Sequence, residues 1–96
     1  MLIDMLIKSK FRYNITIIDN HSSVGVDVHI GNNSFIGPSA QVCGKCHIED
    51  NVYLGAGAVI IPGITIKSGA IIGANATVTK NVMSNTKVVG TPAKPI

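Results

Sequence analysis

The chain has 96 residues, enough for one domain near the lower end of what folds alone. Apolar residues make up 46% of it and charged residues 14%, which excludes a disordered, solvated tail. The formal charge of +3 comes from the first and last thirteen residues; the middle is near neutral and no basic stripe is interleaved with aromatics, which argues against nucleic-acid binding.

Trp is absent and Tyr and Phe total four, so the core must rest on Ile, Val and Ala. That β-branched bias points to strands rather than helices. Ten Gly and many Asn point to frequent tight turns.

In chain order, residues 1–17 read as a short lead-in element. Met1–Ile7 contains Asp4 and has no basic leader, so it is not read as a signal peptide. The uncharged run Asn51–Ile66 is too short to span a membrane and contains Gly and Pro. The expectation is a cytoplasmic, reduced protein with no membrane insertion.

Residues 18–83 form a repeat. Cut into hexads from Ile18, the chain begins all eleven segments with an aliphatic residue: Ile18, Val24, Ile30, Ile36, Val42, Ile48, Leu54, Ile60, Ile66, Ile72 and Val78. Ile, Leu and Val are 28 of the 96 residues, so chance agreement at eleven fixed positions is about one in a million. The fifth position is mostly small and always uncharged, and the second is often Gly. Such a period requires a short strand, a corner and another short strand. Gly and Asn fit corners because unusual backbone angles are cheap there. Three hexads close one coil, and coils stack at strand spacing of about 4.8 Å. The expected fold is all-β, a single-stranded parallel β-helix of about 3.7 coils with no residue inserted or lost from Ile18 to Met83. Val26, Tyr53, Val59 and Ile71 point away from the aliphatic column, and the flat, weakly charged faces suit side-by-side association.

Cys43 and Cys46 make a lone CxxC. It lacks the second pair or spaced histidines of a zinc site and the βαβ setting of a redox motif, so it reads as structural. Residues 84–96 form a C-terminal tail.

Repeat and tail together resemble the hexapeptide-repeat acyltransferases. The resemblance runs from Ile18 to the C-terminus. It is sharpened by Leu54-Gly-Ala-Gly-Ala-Val-Ile-Ile-Pro-Gly-Ile-Thr-Ile66 and by the closing Val88-Val-Gly-Thr-Pro-Ala-Lys-Pro-Ile96. It implies a left-handed β-helix. The run from Pro38 through Cys43-Gly44 to Leu54-Gly55 looks most like sugar acetyltransferases of the sialic-acid and bacillosamine type. That likeness implies transfer of an acetyl group from acetyl-CoA to a hydroxyl or amine of a sugar or nucleotide-sugar, by a homotrimer with sites between adjacent prisms. Such enzymes carry an N-terminal nucleotide-sugar-binding domain. This chain has no room for one, so it is expected to correspond to the C-terminal half of such an enzyme, as a truncated or split form.

Acetyl transfer from a thioester needs a base and oxyanion donors. The histidines are His21, His29 and His47. His21 stands at a corner-like fourth position, with Asp19 and Asn20 close by to orient it. The family's catalytic His, aligned without gaps, falls on Val26, and its acidic partner on Asp27. The base is therefore His21, or His29, or neither. His29 and His47 are one coil apart and should stack on one edge, as a ligand-facing pair or as solvent-facing turn residues. The resemblance also assigns acetyl-CoA contacts to backbone groups at third positions, here Gly44, Ala56 and Ala74. Lys80 and Lys94 are candidates for the CoA phosphates. No metal is expected.

Two alternatives remain. A non-catalytic β-helix assembly module is favoured by Val26 at the base position. A metal enzyme resembling the γ-class carbonic anhydrases is disfavoured, because the intervals between His21, His29 and His47 do not match its ligand pattern.

Overall fold

In every hexad the chain makes a strand of two residues and then turns a corner. The computed structural model describes residues 16–96. The lead-in expected over residues 1–17 lies outside them up to residue 15, and Ile17 already belongs to the first strand. In chain order the strands are β1 (Ile17–Ile18), β2 (Ser23–Val24), β3 (His29–Ile30), β4 (Phe35–Ile36), β5 (Gln41–Val42), β6 (His47–Ile48), β7 (Tyr53–Leu54), β8 (Val59–Ile60), β9 (Thr65–Ile66), β10 (Ile71–Ile72), β11 (Thr77–Val78), β12 (Lys87–Val89) and β13 (Lys94–Pro95).

Within the repeat, each strand pairs in parallel with the strand three places on, so Ile17 lies over Phe35, Phe35 over Tyr53 and Tyr53 over Ile71. The three sheets are the three faces of a prism. Face A holds β1, β4, β7, β10 and β12; face B holds β2, β5, β8 and β11; face C holds β3, β6 and β9. The fold is all-β, a left-handed parallel β-helix of about four turns.

Isolated two-residue strands have no stability, so the ladder between coils supplies it. The amides of Phe35, Gly37, Tyr53 and Gly55 donate to the carbonyls of Val52, Leu54, Ala70 and Ile72 at 2.8–3.0 Å. First-position side chains fill the interior: Ile36, Ile48, Leu54, Ile60, Ile66 and Ile72 are wholly buried. Each contributes about 1.5–3 kcal/mol by leaving water. The fifth position completes the core, from Ser34 and Ala40 through to Ala76. Ser34, the one buried polar residue there, donates to the Glu49 carbonyl and accepts from the Val52 amide. Cys46 is also turned inward, and its thiol donates to the Ile61 carbonyl at 3.1 Å. Cys43 remains at the corner and no disulfide joins the two. Toward the first coil the column opens, and Ile18 is 52% exposed.

The corners divide the roles of glycine in a way the composition does not show. At ten successive corners the fourth residue has a positive φ, from His21, Asp27 and Asn33 through Gly57, Gly63 and Gly69 to Asn75. Asn, Asp, His and Gly tolerate this region best; Ser39 and Lys45 also adopt it. The second-position glycines have ordinary φ and are needed for closeness. A Cβ on Gly55 would lie 2.6 Å from the Ala74 amide nitrogen, and one on Gly25 would lie 2.7 Å from that of Gly44.

The unbroken period ends sooner than expected. Val82 pairs with Ile66, two places short of a full coil, so the corner after Val78 is tighter than the others. Val82 thereby takes a first position and the phase resets: Asn85 has the corner's positive φ and Val88 pairs with Ile72. The expected tail thus begins as solenoid. After β12 the chain reverses, and β13 pairs antiparallel with it across the last coil.

Gly55→Ala is expected to destabilise the fold by about 1–3 kcal/mol through overpacking. Ser39→Gly is expected to stabilise it by about 0.5 kcal/mol by relieving the left-handed angle. Urea midpoints at one fixed protein concentration measure both.

Candidate functional site

The faces meet at three edges, and each edge recurs once per coil. The AB edge carries Asn20, Pro38, Ala56 and Ala74 at its third positions. The BC edge carries Val26, Gly44 and Pro62, and Lys80 follows in the shortened corner. The CA edge carries Asn32, Asp50 and Ser68.

Coil stacking uses the carbonyls at these positions. The Ala56 carbonyl accepts from Asn75 at 2.8 Å, and that of Gly44 from Gly63 at 3.1 Å. The third-position amides differ from edge to edge. On the CA edge, the Asn32 amide donates to Asp50 Oδ1 at 2.7 Å and the Ser68 amide to Glu49 Oε1 at 3.0 Å. The amides of Val26, Gly44, Ala56 and Ala74 donate to nothing among the described residues. Ala56 and Ala74 on the AB edge and Val26 and Gly44 on the BC edge therefore present open backbone donors, able to receive a carbonyl oxygen or a developing oxyanion; the Asn20 amide on the AB edge is taken by Asp19, and on the CA edge the Asp50 amide likewise donates to nothing among the described residues.

The expected site residues fall into groups. His21, Ala56 and Ala74 lie on the AB edge, and Asp27 and Gly44 on the BC edge. His21 and Asp27 occupy equivalent corner positions one hexad apart, both exposed and both with positive φ. Asp19 does not hold the His21 ring; its carboxylate caps the Asn20 amide at 2.6 Å. The His21 ring has no partner among the described residues.

His29 sits on face C and stacks on His47, with ring centroids 4.6 Å apart and planes 18° from parallel. This is the stack expected from their separation of one coil. Phe35 and Tyr53 stack in the same way on face A, at 5.0 Å.

Lys80 and Lys94 line one cavity of about 480 Å³ at the C-terminal end, together with Val82, Met83, Thr86 and Pro92. Sequence reasoning named the two lysines but had no means of joining them. The short corner after Val78 and the reversed β13 bring them together. The open third-position amides were legible only in part, as small residues at corners. Which amides stay free depends on acidic side chains reaching from the neighbouring coil. Among the described residues no helix is long and apolar enough to cross a membrane.

The bacterial transferase hexapeptide (six repeats) family model matches residues 27–61 and 45–80. The chain belongs to that family. Among solved structures it is similar to a maltose O-acetyltransferase from Clostridium difficile 630, with 26% identity and a TM-score of 0.67 over 84% of this chain and 64% of that one. A hexapeptide transferase family protein from Anaplasma phagocytophilum matches at 24% identity and a TM-score of 0.78, over 84% of this chain and 50% of that one. PerB from Caulobacter crescentus, solved with CoA and GDP-perosamine, matches at 20% identity and a TM-score of 0.63, over 88% and 58%. The chain thus spans about half to two thirds of the length of these proteins. No curated protein sequence matches it.

Cys43 is half-exposed beside Gly44 on the BC edge and Cys46 is buried. A maleimide is expected to label Cys43 rapidly and Cys46 only on unfolding. Peptide mass mapping over time checks this, and equal labelling of both contradicts the placement.

Proposed function

We propose that the protein transfers an acetyl group from acetyl-CoA to a hydroxyl or amine of a sugar or nucleotide-sugar, as a cytoplasmic homotrimer. The observation that carries this reading is the set of open amides at Val26, Gly44, Ala56 and Ala74 on a transferase-family prism whose last coil holds a cavity lined by two lysines. Those amides suit the amide and thioester carbonyls of the donor. The Lys80 and Lys94 ammonium groups suit its phosphates.

His21 is the base in this reading. It stands on the AB edge with the open amides of Ala56 and Ala74, and its ring is unengaged among the described residues. His29 stands on face C, which carries none of the nominated amides, and one side of its ring is covered by His47. An imidazole nitrogen of His21 takes the proton from the acceptor O–H or N–H. The acceptor's lone pair attacks the thioester carbonyl carbon, and the oxyanion is received by backbone N–H groups, that of Gly44 foremost. Collapse breaks the C–S bond, and the CoA thiolate recovers the proton from the imidazolium.

The similarity to acetyltransferases supports the donor and the class of acceptor. Val26 at the family's base position supports the competing scaffold reading. His21→Ala is expected to lower kcat about 10²–10⁴-fold, while His29→Ala changes it by less than a few fold. Lys80→Ala with Lys94→Ala weakens acetyl-CoA binding about tenfold or more. The assay follows released CoA thiol over a panel of amino- and hydroxy-sugars and their nucleotides. Wild-type protein that binds no acetyl-CoA favours the scaffold; loss of kcat in His29→Ala alone moves the base to face C.

A further inference from the structure

Charge is divided along the prism. Among the described residues, 16–50 hold Asp19, Asp27, Glu49 and Asp50 against Lys45, a net −3. Residues 51–96 hold Lys67, Lys80, Lys87 and Lys94 and no acidic side chain, a net +4. The longest extent is 39 Å, several times the Debye length of about 8 Å in physiological salt. A charged surface that meets one end is therefore screened from the other.

The basic half ends in a surface rather than in a further coil. Its last layer runs from Thr79 through β12 and β13. Lys80, Lys87 and Lys94 are exposed there, and so are Val89 and Met83, the latter 64% exposed. Lys87 and Val89 stand on the same side of β12 with Val88 buried between them, and Val89 lies across from Lys94. Lys67 lies one row below, its amide bonded to the Val82 carbonyl. Apolar side chains are thus set among cations with no carboxylate to neutralise them.

Other occupants fit this end less well. A second copy placed end to end sets lysine against lysine, and Pro95 denies β13 an amide that a stacked strand would use. Nucleic acid calls for aromatic platforms. Tyr53 and Phe35 stand on face A two and three rows below Lys87.

We propose that this end of the prism docks on an anionic phospholipid surface, with Lys80, Lys87 and Lys94 at the headgroup phosphates, Met83 and Val89 in the headgroup layer, and the acidic coils turned away. Lysine clusters are drawn to anionic headgroups within a Debye length, and a few apolar side chains add to the hold. The contact is peripheral. Copies packed with parallel axes present this end to one plane, but the docking does not rest on the transferase reading.

Lys80 and Lys94 are shared with the proposed donor site, so the test uses no acetyl-CoA and centres on Lys87, which does not line the cavity. The whole chain is sedimented with vesicles of phosphatidylcholine alone, and with vesicles of equal parts phosphatidylcholine and phosphatidylglycerol. Binding to the mixed vesicles is expected to be about tenfold tighter or more, and to vanish at about 1 M salt, where the Debye length is about 3 Å. Lys87→Glu is expected to weaken it about tenfold. The chain has no Trp, so Met83→Trp and Val26→Trp each supply a single fluorescent reporter, one at each end. Only Met83→Trp is expected to shift to the blue on mixed vesicles. Residues 1–15 carry a second cationic group, Lys8, Lys10 and Arg12. Binding that survives Lys87→Glu and is lost when those three are replaced by Ser overturns the proposal. So does a protein that binds duplex DNA but not mixed vesicles, one that sediments with neither vesicle, or a blue shift at Val26→Trp alone. Each of these leaves the transferase reading standing. A protein that docks and transfers no acetyl group overturns that reading and leaves the docking in place.

Discussion

The structure depends on one local constraint, a residue in the left-handed region at the fourth position of each corner. Ten such corners in succession turn the chain by the same angle after the same number of residues. This fixes the coil at three hexads, keeps first and fifth positions inward and brings every strand into register with the one a coil away. Hydrophobic burial alone does not select that register. The corner does, and burial then stabilises it along a column from Ile36 to Ile72.

The same regularity decides what chemistry is left to the surface. Stacked coils satisfy strand amides and corner carbonyls by repetition, because each has a partner one coil away. The third-position amide has no such partner. Glu49 and Asp50 supply it at Ser68 and Asn32, and Asp19 at Asn20; beside Val26, Gly44, Ala56 and Ala74 no side chain among the described residues does. A β-helix of this kind therefore carries its open polar groups in rows along chosen edges, at strand spacing. In the proposed reading acetyl-CoA, a long ligand with spaced carbonyls and a charged end, takes up such open groups with its carbonyls and the two lysines of the last coil with its phosphates. The base proposed for the acceptor, His21, stands in the first coil on the AB edge, which also carries Ala56 and Ala74.

The sequence made the interior legible because burial and period act on the same positions. Eleven aliphatic first positions located the strands, and the one-coil separation of His29 and His47 located their stack. It misled where one short-range effect looked like another. The second-position glycines read as corner residues, yet Gly25 and Gly55 are set by the approach of the next coil, and the corner angle falls on His21, Ser39 and Asn75. The shortening after Val78 left no mark, because Val82 is aliphatic in either phase. The site was the least legible part. Whether Gly44 and Ala56 share a ligand depends on which edges they occupy and on what lies beside them, and hexad positions do not state that. Lys80 and Lys94 meet only because the chain reverses after β12.

The most direct measurement is a calorimetric titration of the wild-type protein with acetyl-CoA, its β-sheet content verified by circular dichroism. Saturable micromolar binding of one ligand per chain, weakened by salt, is the result expected if the open amides and the two lysines form a donor site. A folded protein that takes up no acetyl-CoA at millimolar concentration contradicts the account and leaves the prism as a scaffold.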